Sequence, residues 1–380
     1  MINDRLQRPK SPSIDELLRG RDNNFNLLRF VAALTVLISH VLMLKLGTGQ
    51  GPSLIQVYLG TSASSLAVNA FFVLSGLLVT KSLLGSENLT DYAVARGLRL
   101  FPAFVVLVLV LTFGLGSVLT ALNPIQYVSN SQTLKYWLLT SLTLTEVGSL
   151  PGVFATNPIA HIANGPIWTL KYEVLAYAAI LLLFLCGIVQ RRAVFAAFCA
   201  AFFAVSIIAV QTFDVHAAAH TLSGNAWANL FRFGSCFLFG ALCFVFKDKV
   251  RLNGYAVLAG LVAAYLLRAL HLYEIVAIVT FGYAIIWLAL VPGGKLRNFN
   301  RLGDYSYGIY IWHWPVIQAL IAYNPDMTMG DLFLISATVV LGISALSWHV
   351  VEKPALNVRP ALSRFLQRSI RSKSKAAVWS

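Results

Sequence analysis

Apolar runs of about 20 residues recur along almost the whole chain, and they constrain its fold more than any other feature. A helix of that length crosses the hydrocarbon core of a bilayer. The runs are residues 28–46, 66–84, 99–122, 166–189, 193–212, 228–247, 252–270, 275–291, 304–323 and 332–351. Charged residues make up 12% of the 380 residues, whereas a soluble domain carries about 25%. The sequence therefore predicts an all-α fold, a polytopic integral membrane bundle of about ten transmembrane helices.

Lysine and arginine are distributed unevenly among the connections, and this predicts the orientation. When the N-terminus is placed inside, most of the 29 basic residues fall in cytoplasmic connections and in the two ends. Cytoplasmic loops are enriched in lysine and arginine, so both ends are expected in the cytoplasm. The net charge of +14 is thereby explained by membrane topology. No soluble segment carries a basic face with interleaved aromatics, so a nucleic-acid partner is not expected.

The stretch 134–150 is less apolar than the ten runs and is interrupted by Thr and Ser. With the orientation above, the preceding run ends on the outer side and the following run begins there. Segment 134–150 is therefore expected to be interfacial or re-entrant. The chain divides into a basic cytoplasmic segment 1–24, a transmembrane domain 25–355 and a basic cytoplasmic tail 356–380, which we expect to contact membrane lipids.

The first apolar run contains two ionisable residues, Arg29 and His40. Eleven residues are about three helical turns, so both lie on one face of a helix. Ionisable groups within a span are costly and therefore mark functional sites. A neutral imidazole at that depth can act as a general base. The alternative is a structural histidine held by a hydrogen bond.

Two arginines, Arg96 and Arg99, precede the third run at a spacing of three, which puts them on one helix face. Paired guanidinium groups suit a polyphosphate ligand. The alternative is anchoring at the cytoplasmic surface. In the second run, Ser75 and Gly76 are expected to permit close helix packing.

The fourth and ninth runs carry the remaining candidates. Glu173 lies near the outer start of the fourth run, five residues after the aromatic residue Trp168. A carboxylate there needs a partner, and it can orient His40 or a sugar hydroxyl. In the ninth run Ser306, Tyr310 and His313 share one helical stripe, and Pro315 follows, where a helix can kink and free carbonyls.

These residues carry a resemblance to the acyltransferase-3 family of membrane O-acyltransferases. Five blocks match in order, followed by VEKP, and they extend from about residue 25 to residue 355: LLRFVAALTVLISH, NAFFVLSGLLVTKSLL, ARGLRLFPAF, GPIWTLKYE and YSYGIYIWHWP. The resemblance implies a ten-helix membrane fold. It also implies transfer of an acyl group, usually acetyl, from cytoplasmic acyl-CoA to a sugar hydroxyl.

By the same resemblance, the family's functional residues fall on positions of this sequence. The catalytic set is Arg29, His40 and Glu173, and the donor-binding pair is Arg96 and Arg99. The expected substrate contacts are Trp168, Ser306, Tyr310 and His313. His40 is expected to deprotonate the acceptor or to receive the acyl group first.

The resemblance also implies the partners of the reaction. The donor is expected to be acyl-CoA, usually acetyl-CoA, with no metal, and the acceptor a glycan or lipid-linked oligosaccharide. The expected location is the bacterial cytoplasmic (inner) membrane. The extracytoplasmic esterase-like domain that some relatives carry is not expected here.

Two other functions would use the same polar groups within the bundle. A transporter or flippase for a glycan or an anionic substrate needs no CoA site, and inverted repeats, which would favour it, are not found in the sequence. A scaffold protein in glycan assembly would tolerate the loss of both His40 and Glu173.

Overall fold

The computed structural model describes residues 11–20, 22–47, 61–86, 88–212, 226–267 and 273–378. Within these ranges the chain is helical, with one isolated bridge between Ser13 and Arg251 and no β-strand. Residues 1–10 and 21 of the predicted segment 1–24 lie outside the described residues.

We number the helices along the chain. They are α1 Ile14–Leu17, α2 Phe25–Leu46, α3 Ala63–Leu84, α4 Leu89–Leu119, α5 Pro124–Ser129, α6 Ser131–Thr143, α7 Leu170–Leu185, α8 Arg192–Thr212, α9 Ala226–Val245, α10 Gly254–Leu266, α11 Tyr273–Leu290, α12 Ser306–Tyr323, α13 Met329–Ser347, α14 Lys353–Asn357 and α15 Arg359–Val378. Shorter 3-10 helices cover Gly165–Thr169 and Gly294–Arg301, and π-helical turns cover Val110–Leu115 and Trp348–Glu352.

Seven segments of the described chain are long and apolar enough to cross a membrane. They are Phe25–Leu46, Ala63–Leu84, Leu89–Leu119, Gly165–Leu185, Arg192–Ala209, Ala226–Val245 and Met329–Ser369. An eighth combines Ile275–Leu290 with Gly294–Arg301, which are bent by 84°. The predicted helical, polytopic membrane bundle is thus confirmed, while the number ten and the N-in/C-in orientation stay predictions.

Two of the ten predicted spans are not among these segments, for different physical reasons. The described helix α10 has 13 residues and is short for a crossing. Helix α12 has 18 residues, but it carries several polar side chains and 13 of its residues are buried within the protein. A helix enclosed by other helices does not have to be apolar, because lipid does not contact it.

Helix α6 occupies most of the segment that we predicted to be interfacial or re-entrant. Its 13 residues extend about 20 Å, which is less than the hydrocarbon core of a bilayer. Leu134, Leu138 and Leu142 are exposed along one side of it. Its length does not suffice for a crossing, and its place at the interface stays a prediction.

The helices form two compact units. The first unit comprises Met1–Arg29, Val68–Lys81 and Ala178–Gly303. Within it α3 and α9 cross closely at two glycines: a Cβ atom at Gly76 would lie 1.9 Å from the carbonyl oxygen of Phe237, and one at Gly240 would lie 2.1 Å from that of Val73. Small residues permit such close approach of membrane helices, as the sequence predicted for Gly76.

The second unit comprises Phe30–Ala67, Ser82–Tyr177 and Asp304–Ser380. Helix α12 is its most buried helix. A small apolar core joins the end of α4 to α5, α6 and the loop after α6, and the partly buried Ala319 and Ala322 of α12 pack against it. At the other end of the unit, α15 makes the predicted tail largely helical, and Arg359 donates two hydrogen bonds to Asp91.

The glycine crossing gives a test of this packing. Gly76→Ala places a Cβ on a backbone carbonyl that cannot move without shifting α9, so we expect a loss of about 1–3 kcal/mol or failure to fold. The measurement is the thermal unfolding of the detergent-solubilised protein. Gly342→Ala is the control, because nothing lies within 4 Å of a Cβ at that position. Equal unfolding temperatures for the two variants would contradict the described crossing.

Candidate active site

His40 of α2 and His313 of α12 are hydrogen-bonded to each other in the second unit. Nδ1 of His40 lies 2.7 Å from Nε2 of His313, and the ring planes differ by 10°. His313 is fully buried, whereas His40 remains partly exposed. Within the described chain no group of three His, Cys, Asp or Glu could hold a metal ion. Because the two imidazoles are hydrogen-bonded, the pair is suited to proton transfer.

The backbone of α12 determines which nitrogen carries each proton. Nδ1 of His313 lies 3.0 Å from the carbonyl oxygen of Ile309, which only accepts, so Nδ1 is the protonated nitrogen. Nε2 of a neutral His313 is then an acceptor, and His40 donates to it from Nδ1. Nε2 of His40 is left with a lone pair, as a general base requires.

Pro315 leaves one backbone carbonyl of α12 without a helical donor beside this pair, and Asn164 supplies the missing donor. Proline has no N–H, so the carbonyl of Ile311, four residues earlier, loses its helical donor. The side-chain amide of Asn164 donates to that carbonyl at 2.9 Å. The carbonyl freed by Pro315, as the sequence predicted, is thus satisfied by the loop that precedes α7.

The same loop fixes the orientation of Trp314, which borders His40. The two rings meet edge to face, with centroids 5.2 Å apart. The indole N–H of Trp314 donates to the carbonyl of Ile162 at 3.1 Å. Gln318 donates to this carbonyl and to that of Ile159, at 3.0 and 2.8 Å. Loop and helix therefore position each other.

Glu146 holds this loop in place, and the sequence did not identify it as a candidate. Its Oε1 accepts from the N–H of Ala163 at 2.7 Å and from the hydroxyl of Tyr136 at 3.2 Å. Its Oε2 accepts from the N–H of Asn164 at 3.2 Å. A signal was present: Glu146 is the one Asp, Glu, Lys or Arg between Lys135 and Lys171.

Arg99 belongs to an ion-pair network at the start of α12. Its guanidinium lies 2.6 Å from a carboxylate oxygen of Asp304 and 3.5 Å from one of Glu352. It also lies over the ring of Tyr307. The side chain of Glu352 is 2% exposed, so the arginine neutralises a charge that would be costly to bury alone. The two carboxylates leave little of its charge for a phosphate.

Arg96 and Glu173 both contact Tyr177 on α7. The guanidinium carbon of Arg96 lies 5.7 Å from the centre of the Tyr177 ring, and the Tyr177 hydroxyl donates to Glu173. Nε of Arg96 is buried without a hydrogen-bond partner among the described residues. Among the described residues, Glu173 has no hydrogen bond to His40. Its partner is the hydroxyl of Tyr177.

The three other expected substrate contacts differ in their surroundings. Ser306 is buried and donates to Asp304 at 2.5 Å. The Tyr310 hydroxyl lies 2.5 Å from that of Thr169 and donates to the carbonyl of Pro166 at 3.1 Å. Trp168 is partly exposed and meets the ring of Tyr172 edge to face. Trp168 is thus the most accessible of the three.

Arg29 lies on α2, eleven residues before His40. Along a continuous helix that separation is about 16 Å. The two residues therefore share a helix face, as predicted, about three turns apart, and the catalytic role of Arg29 stays a prediction.

Glu146 gives a pH-dependent prediction for stability. Burial raises its pKa to about 7 from the ordinary 4.5, although the three hydrogen bonds lower it. The folded state therefore binds this proton more tightly than the unfolded chain, and stability should fall as the pH rises from about 4.5 to about 7 and then level off. In Glu146→Gln that part of the slope should be absent, as measured by thermal unfolding in detergent between these pH values. An unchanged slope would contradict the assignment.

Comparisons with known proteins agree with the resemblance seen in the sequence. The family of the acyltransferase domain matches residues 22–349. An O-acetyl transferase of Shigella phage Sf6 is 29% identical over 364 residues, covering 92% of this chain and 97% of that protein. Nodulation protein 10 of Rhizobium leguminosarum bv. viciae is 28% identical, covering 90% and 95%. No solved structure matches. Because the family match covers most of the chain, the protein belongs to the acyltransferase-3 family and is an O-acyltransferase.

Proposed function

We propose that the protein transfers an acyl group, acetyl in the simplest case, from cytoplasmic acyl-CoA to a hydroxyl of a surface or exported glycan. The hydrogen-bonded pair of His40 and His313 is the observation that carries this proposal. The name of the phage relative, O-acetyl transferase, supports acetyl as the group. The proposed location is the bacterial cytoplasmic membrane, with the glycan or lipid-linked oligosaccharide arriving from the outer side.

In the proposed reaction His40 acts as the general base. Its Nε2 removes the acceptor proton while the acceptor oxygen attacks the thioester carbonyl. The C–O bond forms, the C–S bond breaks, and the proton passes from His40 to the departing sulfur, so CoA leaves as the thiol. Nε2 of His313 accepts a hydrogen bond from Nδ1–H of His40 throughout and stabilises the imidazolium.

The distances along α12 support a donor that extends into the bundle. Ser306, which bonds to Asp304 in the arginine network, lies seven residues before His313. That is about 10 Å along the helix. A thin pantetheine arm is suited to connect phosphates at the arginines with a thioester at His40. Arg29, about 16 Å from His40 along α2, is also proposed to contact the donor.

We propose different roles for the two donor-binding arginines. Arg96 contacts the CoA phosphates, because its buried Nε lacks a hydrogen-bond partner among the described residues. Arg99 connects α4 with Asp304 and Glu352, and so holds α4 against the start of α12. Glu173 and Trp168 are proposed to orient the acceptor sugar, by a hydrogen bond and by ring stacking.

The histidine pair gives the test of the mechanism. His40→Ala should lower acyl transfer by about 10²–10⁴, the usual contribution of a general base. His313→Ala should also lower the rate. His313→Gln should retain part of it, because the amide oxygen of Gln can accept the hydrogen bond from Nδ1–H of His40. The measurement is transfer of labelled acetyl from acetyl-CoA to membrane glycan. His349→Ala serves as the control, and normal transfer by His40→Ala would overturn the mechanism.

The arginines give a second test, which also separates an acyltransferase from a transporter. Arg96→Ala should weaken acetyl-CoA binding by about tenfold or more, as expected for the loss of a charge-assisted contact, without changing the unfolding temperature. Arg99→Ala should lower the unfolding temperature, because two buried carboxylates lose their cation. Absence of acetyl-CoA binding by the unmodified protein would favour a transporter.

A further inference from the structure

Helix α6 has its polar and apolar sides inverted relative to a helix of a soluble protein. Leu134, Leu138 and Leu142 are exposed, while a stripe of polar groups faces the interior. The stripe consists of Thr133 Oγ1, Trp137 Nε1 and Ser141 Oγ, spaced by four residues. All three atoms are buried and have no hydrogen-bond partner within the described chain.

A fourth polar atom lies on the helix that faces this stripe. Thr112 is fully buried, and its Oγ1 also lacks a partner among the described residues. It sits in the π-helical turn of α4, next to Phe113, whose ring centroid lies 5.7 Å from that of Trp137. Such turns interrupt regular helices and occur frequently at functional sites.

Buried polar groups in native proteins nearly always have partners, so a cluster of them needs an explanation. Neighbouring positions show that this part of the fold can supply partners. The Thr140 hydroxyl accepts from the N–H of Val147 at 3.2 Å, and the Tyr136 hydroxyl donates to Glu146. The unpartnered groups are therefore confined to one side of α6.

The backbone after α6 is strained. Three residues other than glycine adopt left-handed conformations there: Leu144, Phe154 and His161, with φ of 55°, 53° and 62°. Such conformations are uncommon for large side chains, and they concentrate at functional sites. This strained loop leads directly to Asn164, which bonds to α12 two residues before His313.

The chemistry of the stripe indicates its ligand. It offers hydroxyls, which donate and accept, and an indole N–H, which only donates. Lys135, the one charged residue of α6, is exposed. A neutral set of donors and acceptors beside two aromatic rings fits the hydroxyl groups of a sugar, whereas a phosphate or carboxylate would require cations.

We propose that the stripe Thr133, Trp137 and Ser141, together with Thr112, takes the hydroxyl groups of a further sugar unit of the acceptor, beyond the unit that Glu173 and Trp168 orient. The stripe extends over about 12 Å, enough to contact more than one hydroxyl. This inference rests on the proposed function, because it assigns the acceptor of that reaction to a place in the fold.

The test uses two variants that remove polar atoms. Trp137→Phe removes the indole N–H together with part of the ring, and the double variant Thr133→Val/Ser141→Ala removes two hydroxyls with little change of shape. The full-length protein in liposomes is given labelled acetyl-CoA and increasing amounts of the glycan fraction of its own cells. The half-saturating glycan concentration should rise about tenfold, equivalent to one or two neutral hydrogen bonds. The half-saturating acetyl-CoA concentration should not change. Thr143→Val is the control, because its hydroxyl bonds to the carbonyl of Leu139 on the exposed side.

Thermal unfolding separates this proposal from a structural role and from the proposed function. Without glycan, the double variant should unfold at or above the temperature of the unmodified protein, because it removes unsatisfied buried groups with little loss of volume. Trp137→Phe also loses ring packing and should unfold somewhat lower. Glycan should raise the unfolding temperature of the unmodified protein and of Thr143→Val. The increase should be smaller for the stripe variants. An equal increase in all of them would overturn the site. Glycan binding without acetyl transfer by the unmodified protein would instead overturn the proposed function.

Discussion

The hydrogen bond between His40 and His313 is the interaction on which the arrangement of the second unit depends. It needs His313 in one tautomer, which the carbonyl of Ile309 sets. It also requires a fixed rotation of α12 about its own axis. Trp314 and Gln318 fix this rotation through hydrogen bonds to the loop before α7. Each contact supports the next, so Nε2 of His40 is positioned by helix backbone and loop carbonyls together.

The lipid environment explains why so many polar contacts gather around one helix. Polar side chains that cannot face hydrocarbon are placed between helices, where they find partners. Helix α12 illustrates this, since it is too polar for a lipid-exposed span yet lies almost wholly within protein. The arginine network at one end and the histidine pair further along are both attached to it.

Sequence periodicity predicted those features that depend on a single helix. It gave the helix positions, the shared face of Arg29 and His40, the stripe containing Tyr310 and His313, and the freed carbonyl near Pro315. It did not predict partners across the fold. Arg99 pairs with Asp304 and Glu352, which lie more than 200 positions later in the sequence. The residue pattern within one helix contains no information about contacts at that separation. Glu146 was missed because its role depends on a loop of irregular conformation.

The separation of the two histidines along the chain has a consequence for biosynthesis. His40 enters the membrane with the first long helix, while His313 follows 273 residues later. A nascent chain that already contains the arginines, Glu173 and the loop before α7 therefore still lacks His313, the residue that sets the tautomer of His40. In the proposed mechanism, thioester cleavage with His40 as base is thus delayed until the segment that carries His313 has been inserted. A ribosome-stalled or truncated product that ends before His313 should not consume the donor by this route.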